Sequence, residues 1–215
     1  MKKLKMICFD FDGTVADTMP VLERNAIKLF KEYHVLSDEE ALERYRSTTG
    51  LPFEQQVEIN FPKHPKNEEL IHKFEEMKLA VMDEQELFPE SKTVLKKLQE
   101  EGYMTAISSS TFKPIIDNYC KKKGIFQYLD EVLGFRPGFE KGKDHFNFLM
   151  EKFDLHPEHI LFIGDSLKDM ERAINSQINF CGRKSYMNSE FRFNGKKYPD
   201  LFSLDELFEL IPSIQ

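Results

Sequence analysis

Short apolar runs alternate with amphipathic segments along most of the chain. The strand candidates are Lys5–Phe9, Tyr103–Ile107, Glu131–Gly134, Ile160–Ile163 and Ile178–Cys181. Helical periodicity fills the intervals. It covers Glu90–Glu101, where Val94, Leu95 and Leu98 share a face and Gly102 supplies the stop, then Pro114–Lys123, closed by Gly124, Asp144–Phe153 and Leu167–Asn175. This alternation predicts an α/β chain built on a parallel sheet with right-handed crossovers.

The interval after the first strand breaks the rhythm, because it is far longer than an ordinary connection. Its pattern is helical. Leu22, Ala26, Leu29, Phe30 and Tyr33 share one face, Ser37 and Glu40 form a capping-box signature, and Glu68–Met82 is a further amphipathic stretch entered through the loop "KHPKNEE". Residues 17–87 therefore read as a helical insert at the carboxyl end of the first strand, between core segments 1–16 and 88–215.

Composition narrows the partners. The chain has 215 residues and a formal net charge of −7, which argues against a polyanion such as nucleic acid. No run approaches the ~18 apolar residues of a membrane helix, and the apolar stretch before Asp10 is too short for a signal peptide, so the expected location is the cytoplasm. The three cysteines, Cys8, Cys120 and Cys181, are too scattered for a disulfide framework or a zinc site.

The polar residues at strand ends carry the chemistry. "FDFDGTVADT" places Asp10 and Asp12 directly behind the first strand, and since buried carboxylates are costly, either the strand ends in water as a solvated turn or a cation compensates them. Ser108 follows the second strand, Lys141 and Lys143 follow the third, and "GDSLKD" (164–169) follows the fourth. Open parallel sheets bind ligands at the carboxyl ends of their strands, so these residues are expected to share one crevice. Carboxylates suit a hard cation such as Mg²⁺, while a lysine and a serine hydroxyl suit the outer oxygens of a phosphoryl group.

With those motifs in their order, the chain resembles the phosphatase branch of the haloacid dehalogenase superfamily. The resemblance runs through "DFDGTVADT", the Ser108 end of "MTAISSS", a lysine in "EKGKDHF" and "GDSLKD". It implies a Rossmann-like core with a helical cap, and an activity similar to phosphoglycolate phosphatases. Asp10 would be the nucleophile that forms an aspartyl-phosphate, and Asp12 the general acid and then the general base. Asp10, Asp165 and the Asp12 carbonyl would hold Mg²⁺, with Asp169 alongside. Ser108 and Lys141, or alternatively Lys143, would bind the transferring group. Gly13, Thr14 and Ser109 would help to bind the substrate, and the cap loop "YRSTTGLPFEQQ" would offer Arg46, Thr48, Thr49 and Gly50 to the leaving group. The aspartate at position 12 favours phosphate esters over carbon–halogen or carbon–phosphorus bonds. The implied partner is a small-molecule phosphate ester, and the implied state a monomer or weak homodimer. A β-phosphoglucomutase-like phosphomutase and a catalytically silent binding protein are the alternatives.

Several features also have plainer readings. Ser109, Ser110 and Thr111 suit helix caps, Arg46 suits an ion pair with a nearby glutamate, and Lys121–Lys123 suits a helix C-terminus. The histidines, His145, His156 and His159 among them, read as surface or core-edge residues, and the phenylalanines as core. Two positions depart from the family pattern: Gly142 where proline commonly follows the lysine, and Gln177 where glycine often ends the helix. The role of segment 182–200 is open.

Overall fold

A computed structural model describes residues 4–185, 188 and 190–214. The chain divides into two compact units, one of residues 1–16 and 87–215, the other of residues 17–86.

The first unit is built on a parallel sheet of order β3-β2-β1-β4-β5-β8. Its strands are β1 (Met6–Phe9), β2 (Met104–Phe112), β3 (Glu131–Phe135), β4 (Ile160–Gly164), β5 (Asn179–Arg183) and β8 (Asp200–Leu201). The helices of this unit are α5 (Ser91–Glu100), α6 (Lys113–Lys122), α7 (Lys143–Phe153), α8 (Leu167–Asn175) and α9 (Leu207–Ile214). β1 is fully buried and pairs with β2 on one side and β4 on the other, with Phe9 level with both Ile107 and Ile163. The chain runs outward from β1 to β3 and then returns to start β4, so the strand order reverses beside β1. A parallel sheet opens its ligand crevice at such a point. One core cluster joins Met6 and Cys8 of β1 to Ala106, Leu133, Phe146, Leu149 and Phe162.

β2 is longer than its apolar run suggests. Ser109, Ser110 and Thr111 continue the strand instead of capping a helix, and Phe112 precedes α6 without a side-chain cap. The Ser109 hydroxyl instead accepts a hydrogen bond from the Thr111 N–H at 3.0 Å. Of segment 182–200, residues 186, 187 and 189 lie outside the described residues. Its second half forms the hairpin β6 (Arg192–Phe193) and β7 (Lys196–Lys197) around Asn194 and Gly195, both at positive φ as a tight primed turn requires. Phe191 is fully buried against Gly182, where a Cβ would lie 2.0 Å from the phenyl ring.

The second unit contains α1 (Met19–Tyr33), α2 (Asp38–Thr48), α3 (Phe53–Asn60) and α4 (Asn67–Met82). The capping box at Ser37 and Glu40 forms with both bonds present. Residues 45–56 are mostly helical and not one loop: α2 runs to Thr48 and α3 starts after Pro52, driven by the buried i, i+4 pair Phe53 and Val57. The interior stacks aromatic rings, with Phe30 edge-on to Phe61 at 4.9 Å and Phe53 parallel to Phe74 at 3.5 Å.

The two ends of the insert are tied together. The Asp17 N–H donates to the Glu86 carbonyl at 2.9 Å, Ala16 bridges Leu87 antiparallel, and the Phe88 N–H donates to the Val15 carbonyl at 3.1 Å. Among the described residues, no helix is long and apolar enough to cross a membrane.

Candidate active site

Asp10 sits one residue beyond β1, still held in the sheet by its N–H donating to the Ile163 carbonyl at 2.7 Å. The chain then curls sharply. The Phe11 carbonyl accepts from the N–H groups of Thr14, Val15 and Ala16 at 3.3, 3.0 and 3.0 Å, and Gly13 adopts φ +76° within the turn. This curl leaves the Asp10 carboxylate buried and puts Asp12 at partial exposure. The Thr14 hydroxyl approaches Asp10 Oδ2 at 3.5 Å, and the Thr111 hydroxyl donates to Asp12 Oδ2 at 3.1 Å.

Lys141 is the lysine that enters the site. Its Nζ bridges Asp10 Oδ1 and Asp169 Oδ1, both at 2.6 Å, and its side chain is 4 % exposed. Lys143, on the first turn of α7, is exposed. Gly142 between them explains the departure from proline: its φ of +107° lies outside the range a pyrrolidine ring permits.

The β4–α8 turn supplies the other carboxylates. Ser166 caps α8, its Oγ accepting from the Asp169 N–H at 3.1 Å and donating to Asp169 Oδ2 at 2.7 Å. Arg172 adds a contact to Asp169 Oδ1 at 3.4 Å. Gly164 leaves room for this carboxylate, since a Cβ there would meet Asp169 Cβ at 2.6 Å. Asp165 is buried with Oδ2 lacking a hydrogen-bond partner among the described residues, while its backbone carbonyl accepts from Asn188 Nδ2 at 2.8 Å.

Three buried carboxylates thus face one lysine, and their acidity shows the strain. Burial pushes Asp10 up to about 7, with Lys141 opposing and Asp169 reinforcing the shift. Burial, then the charges of Asp10 and Asp169, push Asp165 well above the usual carboxylate range. For Asp169 burial also acts upward, but Lys141, Arg172 and the Ser166 hydroxyl outweigh it and the carboxyl is lowered. Burial likewise opposes the Lys141 charge, yet Asp10 and Asp169 outweigh it and its pKa is raised. The excess of negative charge fits an added cation. Asp10, Asp165 and Asp169 offer oxygen atoms that all lie within 4.8 Å of one another, and the orphaned Asp165 Oδ2 is a donor without other employment. Oxygen-only donors suit a hard dication such as Mg²⁺. The Asp12 side chain stands outside this cluster, toward Thr111.

Ser108 follows Ile107 on β2, level with Asp10, and is fully buried. Its hydroxyl meets Nδ1 of His145 at 2.8 Å. His145 is therefore not a surface or edge residue. It belongs to the inner face of α7, one turn before the buried Leu149, and that i, i+4 relation was the available sequence signal. Burial, then the Lys141 charge, push this imidazole down to about 4. Thr111, Ser166 and Asn188 are further polar residues around the site that sequence motifs did not single out for it.

The residues expected to read the leaving group belong to the helical unit. The Arg46 guanidinium grips the Glu23 carboxylate through Nε at 2.8 Å and Nη2 at 3.1 Å, the plainer of its two readings. Thr48 is buried, with its hydroxyl on the Arg44 and Tyr45 carbonyls at 3.0 and 3.2 Å. The Thr49 hydroxyl donates to the Tyr45 carbonyl at 3.1 Å, and Gly50 adopts φ +94°.

Known proteins place the chain. The family model described as haloacid dehalogenase-like hydrolase matches residues 7–183. A phosphoglycolate phosphatase from Vibrio cholerae is 28 % identical over 191 residues, covering 82 % of each chain. A pyrophosphatase, PpaX, from Oceanobacillus iheyensis is 26 % identical over 172 residues, covering 78 % of this chain and 77 % of its own. A haloacid dehalogenase-like hydrolase from Streptococcus pneumoniae superposes with a TM-score of 0.79 at 22 % identity, covering 98 % of this chain and 99 % of the other. By motif, sheet order and family match, the chain belongs to the haloacid dehalogenase-like hydrolases.

Proposed function

We propose that the protein is a Mg²⁺-dependent phosphatase of small phosphate monoesters, working through an aspartyl-phosphate on Asp10. The observation that carries this reading is the buried Asp10 carboxylate, joined to Lys141 at 2.6 Å beside an Asp165 oxygen that has no hydrogen-bond partner among the described residues. When bound, the metal ion supplies positive charge that offsets repulsion between the anionic nucleophile and an anionic ester.

The chain's own residues perform the remaining steps. An Asp10 oxygen forms the new bond to phosphorus as the ester P–O bond breaks, and Asp12 gives its proton to the departing alkoxide. Asp12 then takes a proton from the water that attacks phosphorus, which releases inorganic phosphate and restores Asp10. Lys141 and Ser108 hold the outer phosphoryl oxygens as charge moves between them. The hydrolase names of the matched relatives support water, not a second sugar hydroxyl, as the final acceptor. Residues 17–86 would act as a cap that selects the leaving group, with Thr49 and Gly50 as the loop positions to test.

Hydrolysis of p-nitrophenyl phosphate, with and without Mg²⁺, tests the chemistry. Wild type turns over only with metal, and Asp10→Asn lowers kcat by ~10³-fold or more while retaining a normal melting curve. Metal-independent turnover, or an active Asp10→Asn protein, rejects the reading. Because the relatives differ in their named substrates, a panel of phosphoglycolate, pyrophosphate and sugar phosphates then ranks kcat/KM.

A further inference from the structure

The Ser108–His145 pair carries an inference about how the phosphoryl site is set. Strand alternation puts Ser108 on the same sheet face as Ala106, and Asp10 on the same face as Cys8, which share one core cluster. Ser108 and Asp10 therefore point to one side of the sheet. The serine hydroxyl is sealed from solvent and lies 2.8 Å from His145 Nδ1. The other ring nitrogen, Nε2, is buried without a hydrogen-bond partner. The Gly134 carbonyl is an acceptor close to the ring and favours its protonated form, but it does not meet Nε2 in hydrogen-bond geometry. The ring also leans on Phe139, with centroids 4.7 Å apart.

A buried imidazole kept neutral has one N–H and one bare nitrogen, and the surroundings choose between them. A hydrogen on Nε2 would have only the Gly134 carbonyl to receive it, outside good hydrogen-bond geometry, and a poorly met buried donor is costly. A hydrogen on Nδ1 finds the serine oxygen. We infer that His145 is a positioning residue that donates from Nδ1 to Ser108 Oγ, so that the serine's own hydrogen is left to point at a phosphoryl oxygen shared with Lys141. The opposite tautomer would take up that hydrogen on the histidine and leave Ser108 no donor for the substrate. The neutral ring thus sets a hydrogen-bond direction without adding charge beside Lys141.

The inference rests on the phosphate chemistry proposed above, yet phosphate binding tests it without turnover. In protein labelled with ¹⁵N-histidine, long-range N–H correlation at pH 7 reads the tautomer, with the His145 signal identified by its loss in His145→Asn. A protonated Nδ1 is expected, and a protonated Nε2 overturns the inference. Calorimetry then gives the Kd of inorganic phosphate in Mg²⁺ for a cycle of variants. His145→Leu weakens binding about 10-fold, whereas His145→Asn, whose side-chain N–H replaces Nδ1–H, changes it about 2-fold. In a Ser108→Ala background, His145→Leu costs less than about 2-fold more. Equal losses in both backgrounds, or wild-type affinity in His145→Leu, overturn the inference. If the leucine variant does not fold, His145→Gln takes its place, since its amide reaches toward the Nε2 position and is expected to bind about 10-fold more weakly than His145→Asn. Intact phosphate binding with no p-nitrophenyl phosphate hydrolysis would reject the phosphatase reading alone.

Discussion

The imidazole of His145 is neutral in the folded chain down to about pH 4, whereas an exposed histidine takes a proton near pH 6.5. Between those values the unfolded chain binds a proton that the folded chain refuses, so stability rises with pH across this window and is lost as pH falls through it. Wild type is expected to lose roughly 3–6 °C more in Tm than His145→Asn between pH 6.5 and 4.5, measured by calorimetry. Parallel curves for the two proteins would show that the imidazole titrates normally. The same residue marks where sequence reasoning stopped. Asp10, Asp12 and Asp165 could be nominated from the sequence because each stands at the end of a recognisable apolar strand, whereas Lys141, in the loop beyond β3, was left as an alternative to Lys143. His145 and Thr111 sit inside elements, and their roles depend on which face of a helix or strand turns inward. Arg46 had two readings, and its ion pair with Glu23 is the plainer of them.

Helix ends were the most legible parts of the fold, since Gly102 and Gly124, both at positive φ, close helices in a conformation that the absence of a Cβ permits. α8 ends less comfortably. Gln177 holds φ +57°, a left-handed conformation that disfavours any residue with a Cβ. Gln177→Gly is expected to raise stability by ~0.5–1 kcal/mol in urea titration, with unchanged phosphate affinity. Gly182 on β5 shows the reverse case. A methyl group there would overlap the buried Phe191 ring, so Gly182→Ala should cost ~2–3 kcal/mol and lower Tm by about 5–10 °C. Adding Phe191→Ala should recover part of the loss. Neither this contact nor the two-residue strand β8 was legible in the sequence, because short edge strands have no periodicity to detect. Asn194-Gly195 is a strong hairpin-turn signal, yet the sequence reading left segment 182–200 open and did not use it. The run Ser109–Thr111 misled for a different reason: hydroxyl side chains suit both caps and strand ends, and here the neighbouring β3 keeps the chain extended as far as Phe112.

For the molecule as a whole, the acidic cluster links metal binding to stability. Asp10 and Asp165 are held above the usual carboxylate range first by burial, so a dication that binds only the folded chain should stabilise it. Mg²⁺ at a hundred times its Kd is expected to raise Tm by about 5–10 °C at pH 7.5 and by less at pH 5, where protons compete for the same oxygens. Asp165→Asn should abolish most of that shift while melting above wild type without metal, because a neutral amide replaces a carboxylate crowded by Asp10 and Asp169. No Mg²⁺ effect on wild type would speak against the metal. The paired chain at Ala16 and Leu87 bears on a longer timescale. To polymer statistics, everything between those residues is one loop whose mouth is already closed, and doubling such a loop adds only ~0.6 kcal/mol. A lineage can therefore lengthen, trim or exchange the inserted helices at small thermodynamic cost, leaving the acidic crevice to be inherited intact.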